Sequence, residues 1–125
     1  MSKKVDLARL ADTLREYGFA YVISVDDRYT AHTAAVTPQL NDGVLHVGAV
    51  GRHTRANVEA HPDVTLLWPP QVPGGYSLIV DGHATGTDPL TVAPTRAVLH
   101  RPVTVDSPPS TCSPAYDCVD LATQA

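Results

Sequence analysis

The sequence predicts a mainly β protein: six antiparallel strands closed into a barrel, with one N-terminal helix and one short internal helix at its rim. Three observations predict this. Strand-like runs follow one another through hairpin turns and do not alternate with helices, which excludes a doubly wound parallel sheet. Asn41-Asp42-Gly43 stands between two such runs, and these residue types tolerate the positive φ that a tight hairpin needs. Runs as apolar as Ile79-Val80 and Val98-Leu99 suit a sheet that closes on itself and so loses its edges.

Taken in order, residues 5–17 read as an amphipathic helix. Leu7, Leu10, Ala11, Leu14 and Tyr17 fall near one face, while Lys3, Arg9, Asp12 and Glu16 can meet water. Asp6 suits its cap and Gly18 its stop. Residues 19–25, rich in aromatic and β-branched side chains, form the first expected strand. Asp26-Asp27-Arg28 turns the chain into a second strand over about 30–39, where Pro38 marks an edge or rim. After the Asn-Asp-Gly turn comes a third strand, 44–50, and after the internal helix a fourth, 64–68. Residues 69–75, with three prolines and two glycines, must be a loop. The fifth strand, 77–87, places Asp81, His83, Thr85 and Thr87 on one side. Gly82 and Gly86 lie on the other, where backbone or ligand can approach closely. Asp88-Pro89 leads into a sixth strand, 90–100, bulged near Pro94.

A chain of 125 residues, 43% apolar and 18% charged, has the size and composition of one globular domain with a core of its own. That domain is expected over residues 1–101, with a Pro/Ser-rich tail over 102–125. The net charge of −4 argues against general nucleic-acid binding, which wants a basic face. No apolar run approaches the roughly 20 residues of a membrane span. Met1-Ser2-Lys3-Lys4 has no apolar segment behind it to make a signal peptide, so the cytoplasm is the expected compartment. Cys112 and Cys118 lie in the tail with five residues between them. That spacing fits neither a CxxC redox motif nor a zinc knuckle.

The most informative stretch runs from Gly51 to Trp68. It reads as a strand end, a tight turn, a short helix and another strand. Thr54 is the candidate N-cap, and the helix should stop at His61 because Pro62 disfavours the α conformation before it. Arg52, His53 and Arg55 crowd the front of this helix. Cations there oppose the macrodipole, at a cost of about 0.3–1 kcal/mol each, unless an anion sits among them. The alternative is plain solvated charge. The anion expected is a cofactor phosphate, which would collect the free amides, the hydroxyl and the guanidinium groups together.

Other chemistry is thin. The six histidines are scattered, no pair has the spacing of a helical zinc site, and no metal is expected. No Gly-x-Ser-x-Gly elbow or Ser/His/Asp set appears, and no catalytic residue can be assigned. Trp68 ends a strand before a Pro-Pro loop. It reads either as core or interface filler or, with Tyr76 across the loop, as cover for a ring face.

At these residues the chain resembles a known family. Gly51-Arg52-His53-Thr54-Arg55-Ala56-Asn57-Val58, then His61-Pro62-Asp63-Val64-Thr65-Leu66-Leu67, then Val80-Asp81-Gly82-His83-Ala84, resemble the flavin-binding split barrels of pyridoxamine 5′-phosphate oxidase-like proteins. The likeness extends over roughly residues 5–101. It implies a six-stranded antiparallel split β-barrel, a homodimer and a flavin mononucleotide (FMN) at the subunit interface. The phosphate falls to Arg52, Thr54, Arg55 and Asn57. The isoalloxazine ring lies along Thr33, Ala34, Ala35 and Val36 and along Val47, Gly48 and Ala49, where small side chains leave room for a flat ring. Trp68 is carried over as a further cofactor contact. The implied activity is an FMN-dependent oxidoreductase acting on a small organic substrate. The deazaflavin F420, haem and a non-catalytic cofactor-binding role stay open. The chain is shorter than true pyridoxamine 5′-phosphate oxidases, whose substrate-binding segment it lacks, so pyridoxine phosphate is not the expected substrate.

Overall fold

A computed structural model describes residues 2–103. The chain runs β1 (Ser2–Val5), a 3-10 turn (Leu7–Arg9), α1 (Leu10–Leu14), β2 (Ala20–Val25), β3 (Ala31–Val36), β4 (Gln39–Asn41) and β5 (Val44–Gly48). It continues with α2 (Arg52–Ala60), β6 (Asp63–Trp68), β7 (Ser77–Thr87) and β8 (Leu90–His100). Most expected bounds lie within a residue or two of these. The expected tail from residue 104 onward, with Cys112 and Cys118, lies outside the described residues.

The strands form one antiparallel sheet in the order β3-β2-β6-β7-β8-β5-β4, with β1 against the second half of β8. The end strands β3 and β4 are one stretch of chain, broken only at Thr37-Pro38. Its first half pairs with β2 and its second with β5, so the sheet curls into a half-barrel. This is the split-barrel architecture, with eight strands among the described residues where six were expected. Pro38 divides the expected second strand because it has no N–H to give a ladder. The hairpin at Asp42 (φ 52°) and Gly43 (φ 77°) takes the left-handed conformations its residues favour.

The other added strand corrects the sequence reading of the N-terminus. Residues 2–5 do not lead into a helix; they pair with β8 from Ser2↔His100 to Val5↔Ala97. The reason is non-local. β8 is eleven residues long, and β5 pairs only with its start, Leu90 to Val92, so the far half has an edge to cover. Asp6 then caps a single 3-10 turn, accepting from the Ala8 N–H at 3.0 Å, and α1 lasts five residues, ending at Leu14 before Gly18 is reached. Only Leu10 of the expected apolar face is fully buried; Leu7 is exposed.

The inner face of the sheet carries the core. Val22, Leu66, Val80 and Ala97 face one another across four strands in register, all buried. Gly82 is required here: a Cβ would collide with Val92 and come within 2.8 Å of the Ala93 carbonyl oxygen. The register then slips from Asp81↔Arg96 to Gly82↔Pro94, which places the expected bulge at Thr95. Among the described residues, no helix is long and apolar enough to cross a membrane.

Candidate functional site

Helix α2 lies on β2, β3 and β7. Its N-cap is Gly51, in extended conformation (φ −67°, ψ 167°), whose carbonyl accepts from the Arg55 N–H at 2.9 Å. Thr54 is therefore the third helical residue and not the cap. Its side chain turns inward and is 1% exposed. The far end follows the sequence reading: the His61 N–H donates to the Asn57 carbonyl at 2.7 Å, and the helix stops before Pro62. No acidic residue stands in the first turn, so Arg52 and Arg55 meet the helix N-terminus uncompensated from within the helix.

At about 100° per residue, the side chains of α2 separate into three directions. Thr54 and Val58 face the core. Arg55 and Glu59 share a flank, from which Glu59 accepts the Thr87 hydroxyl at 3.4 Å. His53, Ala56 and Asn57 share the other, toward the β2–β3 hairpin. The four expected phosphate ligands are thus brought to one helix but not to one face.

Three contacts stitch that second flank to the hairpin. His53 meets His32 edge to face, ring centroids 5.8 Å apart. The Asn57 amide donates to the Ser24 hydroxyl at 3.2 Å. His61 Nε2 lies 2.8 Å from Asp27 Oδ1. Between helix and hairpin a cleft of about 290 Å³ remains, lined by Asp26, Thr30, Ala31, His32, His53, Ala56 and Asn57. The His32–His53 meeting was not legible in the sequence, where the two are 21 positions apart.

The expected ring contacts divide as well. On β3, Thr33 and Ala35 point outward and exposed, while Ala34 and Val36 are half-buried and pack on the core. Val47 is buried, and Gly48 (φ 93°) is half-buried with nothing within 4 Å of where a Cβ would stand. Ala49, just past the end of β5, is exposed. Trp68 is 1% exposed and belongs to the core cluster. Tyr76 is likewise engaged by the protein: Lys3 Nζ and Arg101 Cζ lie 4.9 and 4.5 Å from its ring centre.

No family model matches the chain. Uncharacterized protein Mb0449c of Mycobacterium bovis is 47% identical over 135 residues, an alignment that takes in 94% of this chain and 95% of that protein. Uncharacterized protein MT0457 of Mycobacterium tuberculosis matches to the same extent. The chain belongs to the Mb0449c family.

Among solved structures, this Mb0449c-family chain is similar to a putative pyridoxamine 5′-phosphate oxidase from Listeria innocua (TM-score 0.59, 15% identity, 74% of this chain and 96% of that one). It is similar to an F420 reductase (TM-score 0.57, 18% identity, 69% and 94%). It is also similar to an FAD-binding protein from Mycobacterium smegmatis (TM-score 0.57, 19% identity, 81% and 100%). The fold is that of the pyridoxamine 5′-phosphate oxidase-like split barrels.

A second feature of this Mb0449c-family fold was missed in the sequence. The outer face of the sheet, away from the core, aligns Ala35, Tyr21, Leu67 and Ile79 across four strands, with Ile23 beside them. Phe19 meets Tyr21 edge to face at 5.1 Å, and these two rings are 45% and 38% exposed. The signal was present: β2 reads Ala-Tyr-Val-Ile, apolar at successive positions, the pattern of a strand covered on both faces. Farther along the same outer face the surface turns polar. Asp81 there accepts the Thr65 hydroxyl at 2.7 Å and pairs with Arg96 at 3.5 Å.

Proposed function

We propose that this protein is a cytoplasmic, FMN-dependent oxidoreductase that acts as a homodimer on a small organic substrate, with the cofactor phosphate at the front of α2. The observation that carries this reading is Arg52 and Arg55 at the start of a helix whose first turn holds no acidic residue, in a split-barrel fold. The donor set fits a phosphate: two guanidinium groups and the free amides of a helix start combine charge with directed donors. Thr54, buried beneath them, fixes the first turn to the core, and Asn57 fixes the helix to Ser24. Along β3, Thr33 and Ala35 offer an exposed, short-side-chain strip against which a flat ring can lie.

When bound, the flavin supplies the hydride chemistry, and the chain supplies position and electrostatics. The guanidinium groups anchor one end of the cofactor, and small side chains on β3 admit the other. The apolar outer face around Tyr21, Ile23, Leu67 and Ile79 supports dimerisation, because an apolar surface of that breadth is stabilised by a covering partner.

A second reading replaces FMN by F420. It is favoured by the similarity to the F420 reductase, and the same arginines serve because both molecules carry phosphate. Fluorescence titration with FMN, riboflavin and F420 tests both readings. Tight FMN binding with weak riboflavin binding supports the first, and F420 alone the second. A Soret band in the purified protein moves the assignment to haem, and binding of none of these ligands overturns the proposal.

A further inference from the structure

Where β8 ends, a groove of about 340 Å³ opens between the end of the α1 segment and the loop before β7. Tyr17, Val72, Tyr76 and Leu99 give it a mainly apolar lining. The Tyr17 hydroxyl donates to the Tyr76 carbonyl at 2.8 Å, so its two walls are tied together before anything enters. Val72, on the loop, is 62% exposed. None of the lining residues belongs to α2, β2 or β3, so the groove is separate from the arginines and from the expected ring contacts on β3.

We infer that this groove is the docking seat of the chain's own C-terminal segment, with Pro108-Pro109 against the two tyrosines and Asp106 beside Lys3 and Arg101. The inference goes beyond the cofactor reading and does not depend on it.

Position supports it first. Leu99, next to last in β8, lines the groove, and Arg101, just past the strand, sets its guanidinium carbon 4.5 Å from the Tyr76 ring centre. The chain is thus delivered to the edge of the groove. From Val103, the last described residue, to Pro108 is five residues, a reach of up to roughly 17 Å. A tether that short holds the segment at an effective concentration on the order of millimolar, so weak contacts suffice.

Charge and residue type select what enters. Lys3 Nζ lies 4.9 Å from the same Tyr76 ring centre, so two cations stand at the exit of the chain. Residues 104–125 include Asp106, Asp117 and Asp120 and no lysine or arginine. Glu16 is the carboxylate of the groove lining and repels an aspartate. The groove therefore takes the uncharged prolines and leaves Asp106 with the cations at the exit. A proline pair has its φ angles fixed and carries no N–H, so it loses little entropy on an aromatic lining and leaves no donor unsatisfied there.

The two cysteines, Cys112 and Cys118, make the test possible in the full 125-residue chain. In Cys118→Ser protein a nitroxide is attached to Cys112, and amide intensities are compared before and after the nitroxide is reduced. A docked segment should erase most of the Val72 and Gly75 intensity and spare Ser2 more, although Ser2 pairs with His100 at the exit itself. Pro108→Ser with Pro109→Ser should restore Val72 and Gly75. Broadening centred on Ser2, or a pattern that the proline changes leave as it was, overturns the inference. Isotope-labelled protein without nitroxide, mixed with unlabelled nitroxide-bearing protein, gives the remaining outcome: broadening of Val72 and Gly75 there assigns the groove to a second copy's segment and overturns docking within one chain. The proline variant should bind FMN as the wild type does, so loss of docking and failure of the cofactor reading are told apart.

Discussion

Asn57 on α2 donates its side-chain amide to the hydroxyl of Ser24 on β2 across 3.2 Å, and the serine is 1% exposed. A helix-surface asparagine thereby becomes the pin that fixes α2 against the sheet. Its removal leaves a buried hydroxyl without this donor. Asn57→Ala should destabilise the fold by about 1–2 kcal/mol. Urea unfolding checks this, and an unchanged midpoint would show that the pin carries no stability.

The arginines separate a phosphate site from ordinary surface charge. Arg52→Ala combined with Arg55→Ala should weaken FMN binding by about tenfold or more and leave riboflavin binding nearly unchanged, because only FMN carries the charged group. Equal losses for the two ligands in fluorescence titration would place the phosphate elsewhere.

At the outer face, Leu67 and Ile79 are cross-strand neighbours in the middle of the apolar area. A charge there should cost little in the folded monomer, since both side chains are only partly buried, but much in a covered interface. Leu67→Arg with Ile79→Asp should therefore shift the protein to monomer in light scattering while its circular dichroism is preserved. A dimer that survives both changes does not use this face.

Gly82 tests the packing of the curled sheet. Gly82→Ala forces a methyl group into Val92 and toward the Ala93 carbonyl, which is backbone and cannot step aside cheaply. A loss of about 1–3 kcal/mol is expected in denaturant titration. Gly43→Ala tests a different cost, since it has open space but a φ of 77°, and should act through turn strain alone.

Tyr17 connects the end of the α1 segment to the loop before β7, its hydroxyl donating to the Tyr76 carbonyl at 2.8 Å. Burial first, and the neighbouring Glu16 carboxylate second, raise its pKa above the ordinary 10.0. A raised pKa means that the neutral phenol is favoured in the folded state. Its contribution to stability is complete below the ordinary value and is lost as pH rises through the folded one. Stability should fall on the alkaline side of pH 10, and Tyr17→Phe should flatten that fall while losing the hydrogen bond at all pH values. A wild-type curve as flat as the variant's refutes the assignment.

Much of this fold was legible in residue order because its signals are local. Asn41-Asp42-Gly43 makes its turn from its own dihedral preferences, Pro62 stops α2 through its own ring, and β7 runs over the eleven residues its pattern marks out. The charge at the front of α2 was visible for the same reason, since position along a helix is a matter of counting. Tertiary structure alone decided what depends on partners distant in the chain. Residues 2–5 became a strand because β8 had an edge to cover, and Trp68 went into the core because the curled sheet closed over it. His32 and His53 became neighbours because α2 packs on the β2–β3 hairpin. Dihedral preference is written residue by residue, whereas edges, flanks and clefts exist only once the sheet has curled.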